Sequence, residues 1–200
     1  MGKNYSNDIF IYPTDTVWGI GACIYSQEAN ELVRSKKRNE ANKPLSILFS
    51  SFQDLSEYIE FPKAYSNKLK SCFELEFTLL LPLELLKKQI PPHIVGESDF
   101  VGVRVLQGSL FSELTQLAGG PVTTTSLNLS GEASIISKER AESFLHSYAP
   151  EAKFLYDESI SSSGESSTII CLTPDRNLKV IRRGRYCDEV LDRLNQIDYL

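Results

Sequence analysis

Apolar and polar positions along this chain switch between two periods. A β-type run, IFIY at 9–12, stops at Pro13, and ACIY at 22–25 reads as a second strand. Ala29, Leu32 and Val33 then recur at helical spacing, which predicts an amphipathic helix over 27–36. PLSILF at 44–49 predicts a third strand, and helical patterns follow over 54–59 and 63–73. FTLLL at 77–81 and VGVRV at 101–105 read as buried strands. SLFSELTQLA at 109–118 predicts a helix, ended by Gly119, Gly120 and Pro121. PVTTT at 121–125 is a strand, 138–148 a helix, TIICL and LKVI late strands, and DEVLDRLNQI a C-terminal helix. Strands that alternate with helices predict an α/β protein with a mixed sheet.

Length and composition narrow this picture. Two hundred residues, 42% hydrophobic and 24% charged, suit one soluble globular domain over 1–200. No run approaches the roughly 18 apolar residues of a membrane span. The longest, at 77–83, is broken by Thr78 and Pro82. The N-terminal MGKNYSND reads as neither signal nor transit peptide, so the expected location is cytoplasmic, with no membrane partner. Cys23, Cys72, Cys171 and Cys187 form no C-x-x-C pair, and His93 and His146 have no further ligand at metal spacing. No protein-bound metal is expected, and the chemistry falls to Lys, Arg, Ser, Thr and Asn.

Charge adds a local anomaly. The chain carries formal net charge −5, yet SKKRNEANKPLSILF at 35–49 gathers Lys36, Lys37, Arg38 and Lys43 around Glu40. Lys36 and Lys37 at a helix C-terminus would be explained by the helix dipole alone, but Arg38 and Lys43 continue past it. A second cluster, KVIRRGR, supplies Lys179, Arg182, Arg183 and Arg185. Two basic clusters on an acidic chain fit either a focused anion site or a solvated face.

Three further stretches are rich in polar donors. YPTDTVWGIG at 12–21 reads as a tight loop with Thr14 and Thr16 facing a ligand, or as a plain turn. TTTSLNLSG at 123–131 follows a strand and offers Ser126, Asn128 and Ser130 where open α/β sheets bind ligands, although a helix cap wants the same residues. SISSSGESS at 159–167 reads as a flexible loop or a lid. No P-loop is present.

In order, YPTDTVWGIG, Lys36-x-Arg38, KPL, VGVRV, TTSLNLSG, SSTII and IRRG resemble the YrdC-like family, the threonylcarbamoyl-AMP synthases, in its short form. The motif-bearing part is about 9–186, followed by a C-terminal helix at 187–200. The resemblance implies a single α/β domain whose twisted mixed sheet, flanked by helices, encloses a large basic cavity. It implies condensation of L-threonine, bicarbonate or CO2 and ATP into threonylcarbamoyl-AMP and pyrophosphate. Mg2+ accompanies the ATP, no prosthetic group is involved, and the product reaches tRNA indirectly through a threonylcarbamoyl transferase.

Matched residue by residue, the resemblance makes Lys36, Arg38, Ser126 and Asn128 catalytic. It places Arg38, Lys43, Asn128, Ser167, Thr168 and Arg182 on ATP, and Thr14, Thr16, Arg104 and Ser126 on threonine. Lys37, which the motif skips, is expected to face solvent. Two departures stand out. CFELEF replaces the usual Pro-Gly-Pro before Thr78, and Leu127 replaces a common small residue, which would narrow the pocket. Alternative readings are a double-stranded RNA or tRNA-binding module, disfavoured by the acidic charge, and a nucleotide-binding family member without catalysis.

Overall fold

Strand β1 (Ile9–Tyr12) sends Ile9 and Ile11 into one apolar cluster and Phe10 and Tyr12 into another, as the two-residue period of a strand requires. The computed structural model describes residues 6–37, 44–61, 63–175 and 177–195. After β1 come β2 (Gly19–Ala22), α1 (Gln27–Lys37), β3 (Ser46–Phe49), α2 (Phe52–Tyr58), α3 (Lys63–Cys72) and β4 (Phe77–Pro82). A 3-10 turn at Leu83–Leu85 leads to α4 (Pro92–Val95), β5 (Phe100–Val105), α5 (Ser109–Ala118) and β6 (Val122–Ser126). The chain continues with α6 (Lys138–Tyr148), β7 (Lys153–Phe154), β8 (Thr168–Leu172), β9 (Leu178–Arg182) and α7 (Cys187–Asn195).

Among the described residues the strands form one sheet in the order β7-β1-β2-β6-β3-β5-β4-β8-β9. It is mixed: β3 runs parallel to β5 and β4 to β8, while β4–β5, β3–β6 and β8–β9 are antiparallel. The expected α/β architecture is therefore present. No helix among the described residues is long and apolar enough to cross a membrane.

Two strand expectations shift. The second strand is Gly19–Ala22 rather than 22–25, because Ile20 pairs with Ile11 on one side and Thr125 on the other. Gly21 makes this possible: a Cβ there would sit 1.7 Å from the Thr123 carbonyl oxygen. β-Propensity disfavours such glycines, yet the backbone contact demands one. The two-residue β7, parallel to β1, has no signal in the pattern at all. Helix α2 begins earlier than 54 because the Ser51 side chain caps it, accepting from the Asp54 N–H.

The largest core lies on one face of β3, β4 and β5. Ile47, Phe49, Phe77, Leu79, Leu81, Val101, Val103 and Val105 are all buried there with residues of α2, α3 and α7. Burying each large apolar side chain contributes about 1.5–3 kcal/mol. The intervening residues of the same strands must point the other way, and they include Ser46, Thr78 and Arg104.

Candidate active site

That opposite face carries a cleft of about 330 Å3. Ser46 of β3, Thr78 of β4, Arg104 of β5, Thr124 of β6, Ile169 of β8 and Arg182 of β9 contribute to its wall. Thr14, Thr16 and Trp18 close one side, and Ser126, Ser134, Ser166 and Ser167 add hydroxyls. No carboxylate belongs to the lining among the described residues, so the charged groups at the wall are the two guanidinium groups. Trp18 is held flat by stacking on Phe154, with ring centroids 5.1 Å apart, and on Tyr156.

The turn after β1 organises Arg104. Thr14 Oγ1 donates to the Val17 carbonyl at 2.6 Å and lies 3.0 Å from Thr16 Oγ1. Both threonines are buried. Arg104 Nη1 donates to Thr16 Oγ1 at 3.2 Å, and Nη2 meets Asp15 Oδ1 at 2.6 Å. Arg104 Nε, also buried, has no partner. A buried guanidinium with an unused N–H is a receptor for an acceptor oxygen. The serine-rich loop is tied onto this turn. Ser162 Oγ donates to the Thr14 carbonyl, Ser163 N–H to Asp15 and Gly164 N–H to Thr16, at 2.8, 2.9 and 2.8 Å. Its composition suggested flexibility; its amides and hydroxyls instead satisfy the carbonyls of the turn.

On the far side, Arg182 donates through Nε to the Ser167 carbonyl at 2.9 Å and through Nη2 to Ser167 Oγ at 3.0 Å. Ser167 Oγ lies 2.8 Å from Thr78 Oγ1, so the altered segment before Thr78 still leaves that hydroxyl in the wall. Burial, and then the charge of Arg104, lower the pKa of Arg182. Two cations that oppose each other's charge across one cleft favour an anion between them. Thr168, expected beside the nucleotide, is fully buried and accepts from the Gly184 N–H at 3.2 Å. It shapes the wall from behind. Gly184 is required there, since a Cβ would lie 2.4 Å from the Ser166 carbonyl oxygen.

The helix-end lysines exchange the places expected of them. Lys36 reaches outward to Glu151 at 2.6 Å and, through that hydrogen bond first, holds the Glu151 carboxyl below its ordinary pKa. Lys37, expected in solvent, is 3% exposed. Its Nζ donates to the Ser126 carbonyl, to the Asn128 carbonyl at 3.2 Å and to Asn128 Oδ1 at 2.9 Å. Helical phase explains the exchange: Ala29, Val33 and Lys37 are spaced by four and share the buried stripe. The same spacing from Leu32 reaches Lys36, so the sequence pattern admits either lysine.

Asn128 is likewise an organiser. Its Oδ1 also accepts from Ser126 Oγ at 2.7 Å, and its Nδ2 donates to the Leu129 and Glu132 carbonyls. Leu127 does not narrow the cleft. It is fully buried in the cluster with Trp18 and Ile135, because Ser126 and Asn128 turn the other way. Arg38 and Lys43 lie outside the described residues.

The Sua5/YciO/YrdC family model, described as Telomere recombination, matches residues 5–184. A threonylcarbamoyl-AMP synthase of Pseudoalteromonas translucida (strain TAC 125) is 26% identical over 162 residues, covering 81% of this chain and 85% of its own length. One of Wigglesworthia glossinidia brevipalpis is 29% identical over 178 residues, covering 88% of each. Among solved structures, P. abyssi Sua5 complexed with L-threonine matches with a TM-score of 0.73 at 25% identity. That match covers 89% of this chain and 51% of the other, so this chain spans about half of that protein's length. E. coli YciO matches with a TM-score of 0.71 at 21% identity, over 88% of this chain and 83% of its own, a likeness of fold.

Proposed function

The chain belongs to the Sua5/YciO/YrdC family, and from that premise we propose that it is a threonylcarbamoyl-AMP synthase. It joins L-threonine, bicarbonate or CO2 and ATP into threonylcarbamoyl-AMP and pyrophosphate. The observation that carries this reading is one cleft in which Arg104 and Arg182 face a shared, hydroxyl-rich space with no lining carboxylate among the described residues. Such a space accepts anions at two stations, as a carboxylate-bearing amino acid and a triphosphate require.

In this reading Arg104, with Thr14 and Thr16 beside it, receives the threonine carboxylate. Arg182 and Ser167 face the phosphates, with Arg38 and Lys43 assigned to the nucleotide from the sequence alone. Attack of a carbamate oxygen on the α-phosphorus builds charge on the phosphoryl oxygens and on the departing pyrophosphate. Fixed cations and aligned donors lower that barrier without a covalent nucleophile. The K-x-R lysine proposed from the sequence, Lys36, points to Glu151, and Lys37 acts as a positioning residue whose ammonium fixes the Ser126–Leu127–Asn128 backbone. Mg2+ would enter with ATP and neutralise phosphate charge, and among the described residues the lining would offer it hydroxyls. The carbamate decomposes in water, and the clamped serine-rich loop shields it. The product passes to tRNA through a separate transferase.

The test is pyrophosphate release from ATP with L-threonine and bicarbonate supplied singly and together. Release only with both present is expected. Release that ignores L-threonine would overturn the reading.

A further inference from the structure

A second cleft opens beside Asp15, the acid that holds Arg104, and it is acidic. Asp15, Glu74 and Glu76 line it with Ser161, Ser163 and Arg185. Glu76 is only 6% exposed, yet its Oε2 has no hydrogen-bond partner. Its backbone is fixed at the site's edge, where its carbonyl accepts the Thr168 N–H at 2.8 Å. A carboxylate in that position costs several kcal/mol if it is charged and unpaired, by about the scale for buried polar groups. The groups that face it come from every neighbouring element. They are Asp15 of the turn after β1, Ser163 and Glu165 of the serine-rich loop, Arg185 before α7, and Glu74 of its own turn. Burial first, then the charges of Asp15 and Glu165, raise the pKa of Glu76 against the opposing pull of Ser163 and Arg185. Asp15 is the bridge to the main site, because it already holds Arg104.

We propose that Glu76 is a positioning residue that acts through Asp15 on the anion-receiving strength of Arg104. Uncharged, it leaves Arg104 balanced by Asp15 alone among the described residues. Charged, it adds a further negative charge to a cleft that already holds Asp15 and Glu74, and it weakens the hold of Arg104 on a substrate carboxylate. The segment that departs from the usual Pro-Gly-Pro thereby makes substrate capture dependent on pH. This rests on the reading that Arg104 receives the carboxylate of L-threonine.

The experiment is calorimetric titration of the protein with L-threonine between about pH 5 and about pH 8, where the ligand keeps one charge state. Wild-type affinity should fall by about fivefold or more as pH rises, the direction set by a negative charge added beside Asp15. Glu76→Gln and Glu76→Leu, both uncharged, should bind with nearly constant affinity, and Glu76→Asp should keep the dependence. A purely structural role would change affinity equally at every pH, and equal pH slopes in wild type and both uncharged variants overturn the proposal. If L-threonine binds at no pH, the substrate reading falls instead, and sulfate, whose charge is constant here, replaces it as the probe. A pH slope for sulfate that Glu76→Gln abolishes supports the proposal; absence of sulfate binding overturns it, since Arg104 is then no anion receptor.

Discussion

Val103 and Arg104 are neighbours on β5 with opposite duties. Val103 is buried in the cluster covered by α2, α3 and α7, and Arg104 lines the cleft on the other face. The same division holds along β4, where Leu79 belongs to the core and Thr78 to the cleft, and along β3, with Ile47 and Ser46. One set of strands thus supplies both the stability of the molecule and its receptor surface. Parity along the strand decides which property a substitution damages.

The sharpest break of that comparison is at Arg104. Arg104→Gln should lower kcat/KM by about 100-fold or more, mostly through a raised KM for L-threonine, the cost typical of truncating one partner of a hydrogen-bonded charge pair. Its circular dichroism spectrum should remain that of the folded protein. One strand away on the core face, Leu79→Ala should cost about 2–5 kcal/mol of stability in denaturant titration. Turnover per folded molecule should stay close to wild type. If Leu79→Ala lost activity without stability, the division between faces would fail.

The lysine pair sharpens the comparison at the sheet's margin. Lys37→Met removes the ammonium donor from the Ser126 and Asn128 carbonyls and should cost about 1–3 kcal/mol together with most of the activity. Lys36→Met removes a surface pair between half-buried Lys36 and exposed Glu151 and should change stability by less than about 1 kcal/mol. Parallel assays of turnover and denaturation midpoint on both variants separate the two.

The smallest effect is expected at Glu76. Its pKa is raised in the folded state, so its contribution to stability is fully present below the unfolded-state pKa and is lost as pH rises through the folded-state pKa. Glu76→Gln should therefore melt slightly higher than wild type at neutral pH and equal to it in acid, as scanning calorimetry at both conditions would record.

Much of this was legible from the chain. The order of most helices and strands follows from periodicity, with β2 displaced and both β7 and the short α4 absent from the pattern. The alternation in VGVRV already isolates Arg104 between valines, so a reader could place it opposite the core. The stripe of Ala29 and Val33 extends to Lys37, but Leu32 extends it equally to Lys36, and the sequence pattern leaves the choice open. Leu127 looked like a pocket residue because its neighbours are polar. The local pattern did not reveal that Trp18 and Ile135 wait on its side of the loop.

The sequence by itself determined the element order, the basic and hydroxyl-rich motifs, and the parity of each strand, because these depend on residues a few positions apart. The tertiary structure alone decided which lysine is buried against the loop that borders the site. Adjacent helical residues point about 100° apart, and only packing against the Ser126–Leu127–Asn128 loop fixes the rotation. It also decided that Glu76 shares a cleft with Asp15, the acid that holds Arg104, a meeting of distant segments brought about by the pairing of β4 with β5 and of β4 with β8. Local spacing carries no record of such contacts, since they exist only once the sheet has closed its order.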